Sequence, residues 1–417
     1  MTAPGQSPSP PAPPEPEFGD PGTLAARLAI KQRAGGIVVP IITVVLAIFI
    51  SILVVAATEH SFHTSLLAFQ EIFRGTGLNW IVHPTTNLQT SIPAYNLSQT
   101  LLQTSTLILT GLAVAFAFRC GMFNIGGQGQ YLVGLLVANW IGVSFAGMNP
   151  LAHVLFAMVG GTLAAAAYAG IAGVLKATVG AHEVISTIML NWIAYWTASW
   201  LLGVGGPLQD SSNPTSPVSK QVVPGARLPD FWGNQGFQGV HIGFFIALSC
   251  VVVFYVLINR TTLGYEVRAV GFNPDAAAYG GINVKKNLIR AMAISGAFAG
   301  LAGAIDMLGG TTNYQFGQLD IPFSQVGFIG IAVALLGRNT AVGTLLAAFL
   351  FGALLYGSFH GLGASSVIDP SLATNLTYII QGLIVLFIGA DVLILSVWNS
   401  RKKLRWRWGS KTVGAST

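Results

Sequence analysis

Apolar stretches of about 20 residues recur along almost the whole chain, and no other feature limits its fold so strongly. A helix crosses the hydrocarbon layer with about 20 residues. By that rule spans fall near 36–57, 97–118, 130–147, 150–176, 184–204, 239–258, 287–309, 323–337, 341–360 and 376–397. A water-soluble globule is excluded by composition, with 53% hydrophobic and only 8% charged residues, where a soluble chain carries about a quarter. The expected fold is all-α: a polytopic membrane protein of about ten transmembrane helices, in the cell membrane, with both termini cytoplasmic.

Basic residues fix that orientation. Of the 20 Lys and Arg, 17 fall in inner loops and ends, and Arg74, Lys220 and Arg227 in outer ones. The net charge of +6 thus follows topology rather than a basic groove, and nucleic acid is not an expected partner. Residues 1–35 hold eight prolines before Gly22 and read as a disordered Pro-rich cytoplasmic tail. A transmembrane domain at 36–400 and a basic cytoplasmic tail at 401–417 follow. Segments 58–96 and 205–238 read as polar external loops, and 260–290 as a basic cytoplasmic loop. Gly296 and Gly300 form a GxxxG in a span, which predicts closely packed helices.

Covalent chemistry finds no support. Gly-Lys occurs nowhere, so there is no phosphate loop, and GxSxG and HExxH are absent. Cys120 and Cys250 lie in or beside spans, and His60 and His63 have no third ligand at useful spacing. Neither a catalytic residue nor a metal site is expected.

Uncharged polar groups stand in several spans. RCGMFNIGGQGQ (119–130) places Asn124, Gln128 and Gln130 among four glycines. Irregular backbone at membrane depth lines a cavity or is buried in protein, and the alternative is a tight cytoplasmic turn. In HEVISTIMLN (182–191), Glu183, Ser186, Thr187 and Asn191 share one helical face, either as glue between helices or as pathway lining. Asn313 and Gln325 add uncharged groups near the outer end. Arg290 and Asp306, sixteen residues apart, lie roughly 24 Å from each other along a helix and cannot pair. So few intramembrane charges favour a neutral or weakly charged substrate.

Within 260–290, Arg260, Arg268, Lys285, Lys286 and Arg290 face only Glu266 and Asp275. Asn273-Pro274 can stop one helix and start another, Asp275 suits a first turn, Ala276 to Ala278 favour helix, and Gly280-Gly281 ends it. A short helix at the membrane surface results, either a docking element or an elbow between spans.

FRCGMFNIGGQGQ, HEVISTIMLN, GYEVRAVGFNPDAAAYGGI and GFIGIAVALLGRNTAVG together resemble the permease subunits of ABC importers of the branched-chain amino acid/ribose type, nearest the nucleoside and simple-sugar branch. The resemblance covers roughly 36–400. It departs at His182, where the family commonly has Asn, and at Gln128, where Glu is frequent. It implies a second permease (identical or paralogous), cytoplasmic ATP-binding subunits that hold ATP and magnesium, and an extracellular substrate-binding lipoprotein. This chain itself would bind no cofactor. The resemblance also implies that Gly264, Arg268, Gly271, Asn273, Pro274, Ala276, Ala277 and Gly280 couple to the ATPase. The expected cargo is a nucleoside; a simple sugar or a riboflavin-like vitamin is the alternative within this class. An ion-coupled carrier is the alternative outside it.

Overall fold

The computed structural model describes residues 21–84, 91–145, 147–231, 238–321, 325–362 and 370–389, with the backbone alone for 21–39, 370–374 and 389. The basic tail 401–417 and residues 1–20 lie outside the described residues. Fourteen α-helices follow one another: α1 (Pro21–Thr58), α2 (Phe62–Gly75), α3 (Asn79–Val82), α4 (Ile92–Arg119), α5 (Gly127–Ser144), α6 (Pro150–Val179), α7 (Glu183–Leu202), α8 (Ile242–Arg260), α9 (Thr262–Phe272), α10 (Pro274–Tyr279), α11 (Val284–Leu308), α12 (Val326–Leu336), α13 (Ala341–Gly357) and α14 (Pro370–Gly389). Among the described residues there are only isolated β-bridges.

Among these residues, six helices are long and apolar enough to cross a membrane: Pro40–Thr58 in α1, α4, α6, α8, α11 and Ala341–Leu362. The remaining expected spans coincide with α5, α7, α12 and α14, which fall outside that group. The expectation of a span at 323–337 is corrected most clearly. That helix has 11 residues, roughly 16 Å, about half of what a crossing takes.

Burial orders the bundle. The most apolar window of α4 is 83% buried, against 22% in α1, so α4 is the axis and α1 lies at the rim. α11, α12 and α13 pack around α4, and α11 in turn packs on α5 and α6. Small residues set these distances. A methyl group at Gly300 would meet Ala165 and the carbonyl of Gly161 on α6, and one at Gly134 of α5 would run into the backbone of Gly300. This is the close approach that small residues allow when lipid supplies no drive for apolar association.

The segment expected as an external loop at 58–96 holds a helix of 14 residues, α2, which packs against α1 and the end of α13. Its buried positions Ser65, Ala68, Ile72 and Gly75 fall at spacings of three and four, the stripe of an amphipathic helix. The segment 205–230 is stitched to 309–321 through Ser219 Oγ, which accepts from Phe316 N (3.1 Å), and Gln315 Nε2, which donates to the Ser219 carbonyl (2.7 Å). Arg227 lies over the Tyr314 ring at 4.1 Å.

Candidate functional site

Between α4 and α5 the chain runs without helix through 122–125, and the sequence explains why. Gly121, at φ +73°, turns the chain out of α4, and Asn124 stands in the stretch before α5 begins at Gly127. Asn124 replaces the lost backbone bonds: its Oδ1 accepts from Gly126 N (2.8 Å), and its Nδ2 donates to Gln130 Oε1 (2.9 Å) and Ser295 Oγ (2.7 Å). Gln130 Nε2 returns a bond to Asn124 Oδ1 (3.1 Å), and Ser295 donates to the Ala113 carbonyl (2.6 Å). Asn124 and Gln130 are 0% and 1% exposed. This network binds the broken segment to α4, α5 and α11 and keeps its own polar side chains buried.

Two neighbouring amides connect that segment to a second layer. Asn191 on α7 accepts from Gly129 N (2.8 Å) and donates to the Ile125 carbonyl (2.9 Å). Gln128 Oε1 accepts from Gly327 N (2.9 Å), at the start of the short helix α12. There the backbones of α5 and α12 come so close that a methyl at Gly327 would strike Gln128. Gln128 and Asn191, together with Gln325, line a cavity of about 430 Å³ among α5, α7 and α12, within the size range of small-molecule sites. Trp192, Tyr195 and Phe328 complete much of its wall; none was singled out in the sequence, where aromatic residues on apolar helices look like lipid-facing or core positions. The Trp192 and Tyr195 rings meet edge to face at 5.7 Å. A larger cavity between α1 and α13 is lined by aliphatic side chains, Arg338 and Thr340, and offers neither an amide nor a ring.

The other candidate lining residues lie apart from this cavity. Glu183 pairs with Lys176 (2.8 Å) across the turn at Gly180, whose φ is +69°. Thr187 is fully buried and donates to the Glu183 carbonyl (2.8 Å). Asn313 has φ +56° in the turn before Tyr314. Asp306, 3% exposed, accepts from Thr106 (2.6 Å) and Tyr131 (2.8 Å), so it joins α11 to α4 and α5. Arg290 reaches Glu266 at 3.9 Å. Among the described residues no group of three or more His, Cys, Asp or Glu could hold a metal ion.

At the end of the bundle that carries α9 and α10, local sequence dictates local shape. Thr261 caps α9 by accepting from Gly264 N (3.1 Å). Asn273 caps α10 by accepting from Asp275 N and Ala276 N, both at 3.0 Å, with Pro274 in its first turn. Gly281, at φ +81°, takes the chain out of the helix. Arg268 donates to the Gly264 carbonyl (3.2 Å). Gly271 lets the end of α9 touch the backbone of Arg119 and Cys120 at the exit of α4, and Asn287 holds Glu266 at 2.9 Å. α10 rests on one buried residue, Ala277 at 5% exposure, while Phe272 and Tyr279 are 91% and 97% exposed. Ala277 therefore seats α10, and the surface within reach of another molecule is carried by residues around it. The two aromatic side chains were missed in the sequence. Their signal was large rings inside a short charged loop that no span can cover.

Comparison with known proteins fits this arrangement. The sequence model of the family described as "Branched-chain amino acid transport system / permease component" matches residues 96–389. The guanosine ABC transporter permease protein NupP of Bacillus subtilis is 39% identical over 317 residues, 74% of this chain and 85% of that protein. The nucleoside ABC transporter permease protein NupB of Lactococcus lactis is 32% identical, over 77% and 86% of the two chains. The glucose ABC transporter permease protein TsgB13 of Haloferax volcanii is 32% identical, over 72% and 78%. The matched region contains the broken segment, the cavity and the α9–α10 pair, and the chain belongs to the branched-chain amino acid transport system permease family, as a multi-pass protein of the cell membrane.

Proposed function

We propose that this chain is the membrane-spanning subunit of an ATP-driven nucleoside importer and that its energy enters through α10. The carrying observation is a capped helix of six residues that stands on Ala277 and ends on Tyr279, just after Phe272 at the end of α9, with both rings almost fully exposed. A large ring left in water beside a rigid, short helix suits insertion into a groove on a partner. With no phosphate loop in the sequence, that partner is the ATP-binding subunit, which holds ATP and magnesium. Its closure would push α10 and tilt the bundle, so that access alternates between the two faces.

In this reading all ten apolar segments contribute to the membrane domain, α12 as a half-length helix, and both termini are cytoplasmic. A second permease and an extracellular substrate-binding lipoprotein complete the complex. Nucleosides as cargo rest on similarity to the permeases NupP and NupB. Similarity to TsgB13 favours a simple sugar as the second reading. The test is uptake of tritiated guanosine into proteoliposomes. Uptake is expected only when the complete complex and ATP are present; uptake by this chain alone, driven by a proton or sodium gradient, would contradict the proposal.

A further inference from the structure

We infer that the cavity among α5, α7 and α12 is a subsite for the base of an uncharged nucleoside, built to hold the ring by its faces. The inference rests on the nucleoside reading and adds the place and mode of recognition. Three observations carry it. First, the wall pairs aromatic rings with amides: Trp192, Tyr195 and Phe328 stand with Gln128, Asn191 and Gln325 around about 430 Å³. Trp192 and Phe328 line it while 54% and 43% exposed, so neither ring is buried by packing. Stacking on such rings suits every base, because each presents a π face.

Second, the amides divide into holders and readers. Asn191 spends both ends of its amide on the broken segment, and Gln128 Oε1 takes the Gly327 N–H. Those bonds fix the walls. Gln325 stands exposed at the mouth, and its side-chain amide carries both a donor and an acceptor, which is what the edge of a purine or pyrimidine requires. Third, among the described residues no acid or base lines the cavity. A phosphate would lose its hydration there without a partner, so a nucleoside fits and a nucleotide does not.

The test is photolabelling of the complete importer in nanodiscs with 8-azidoguanosine, with the adducts mapped by mass spectrometry. Label is expected on peptides that contain 188–195 or 325–328, suppressed by excess guanosine and not by ribose or GMP. Trp192→Leu should lower this labelling about tenfold, the change expected when one stacking partner is lost, while Trp192→Phe retains most of it. If the wild-type complex transports guanosine but the label falls elsewhere, or Trp192→Leu labels normally, the subsite is refuted and the nucleoside reading stands. If the complex transports no nucleoside, the reading itself fails. If Trp192→Leu separates the complex into its subunits, the ring is a contact with a partner chain, and the inference is overturned.

Discussion

Gln128 and Gln130 stand two residues apart at the start of one helix, yet they belong to different parts of the molecule. Gln130 exchanges hydrogen bonds with Asn124 in a closed network joined by Ser295. Gln128 faces the cavity and uses its carbonyl to hold α12. The same amide chemistry therefore serves as glue on one side of α5 and as wall on the other. What separates the two roles is where the partners lie: Gln130 is bonded inside the buried network, and Gln128 is bonded to α12 at the cavity wall.

That contrast can be broken by substitution, beginning with the helices that enclose both regions. Gly300→Leu should have the largest effect, because the new side chain meets the Ala165 methyl and the Gly161 carbonyl across α6, and backbone cannot step aside as a side chain can. The variant is expected to vanish from the folded, detergent-extracted fraction, and normal recovery would show that α6 and α11 do not need that approach. Next, Asn124→Ala should strand groups on Gln130, Ser295 and Gly126, at about 1–3 kcal/mol for each. Its melting temperature in detergent should fall clearly, whereas Trp192→Leu at the cavity should leave melting unchanged. Equal melting of the two variants would erase the distinction between glue and wall. Smaller again is Asp306→Asn, which keeps one acceptor for Thr106 or Tyr131 and should cost about 1–2 kcal/mol. Uptake should persist in this variant, since the account gives Asp306 an interhelical role; loss of uptake at normal abundance would point to an ion path.

Much of this was legible in the sequence, for reasons that differ by region. Asn273-Pro274 and Gly280-Gly281 announced α10 because caps act over three or four residues and need no tertiary knowledge. The glycines of 121–129 announced a break for the same reason. The half-length of α12 was not legible, because 326–336 continues an apolar run and only the packing of Gly327 against α5 shows where the helix starts. α2 was overlooked although Ser65, Ala68, Ile72 and Gly75 carry its stripe, since a small-residue face registers weakly in hydropathy. Sequence placed Asn124, Gln128, Gln130, Asn191 and Gln325 in one class of polar groups. Only three-dimensional proximity divides them, just as it turns Ala277 inward and leaves Tyr279 in water.

The central claim is that α10 delivers the energy this chain lacks, and the double variant Phe272→Ala/Tyr279→Ala tests it most directly. Both side chains are almost wholly exposed, so the fold should not register their loss. Guanosine uptake and co-purification of the ATP-binding subunit should be measured together, in cells that hold the variant at wild-type abundance. The account predicts that the ATP-binding subunit no longer co-purifies and that uptake falls at least about tenfold, the scale of removing an interface anchor. Full uptake with the ATP-binding subunit still attached would contradict it.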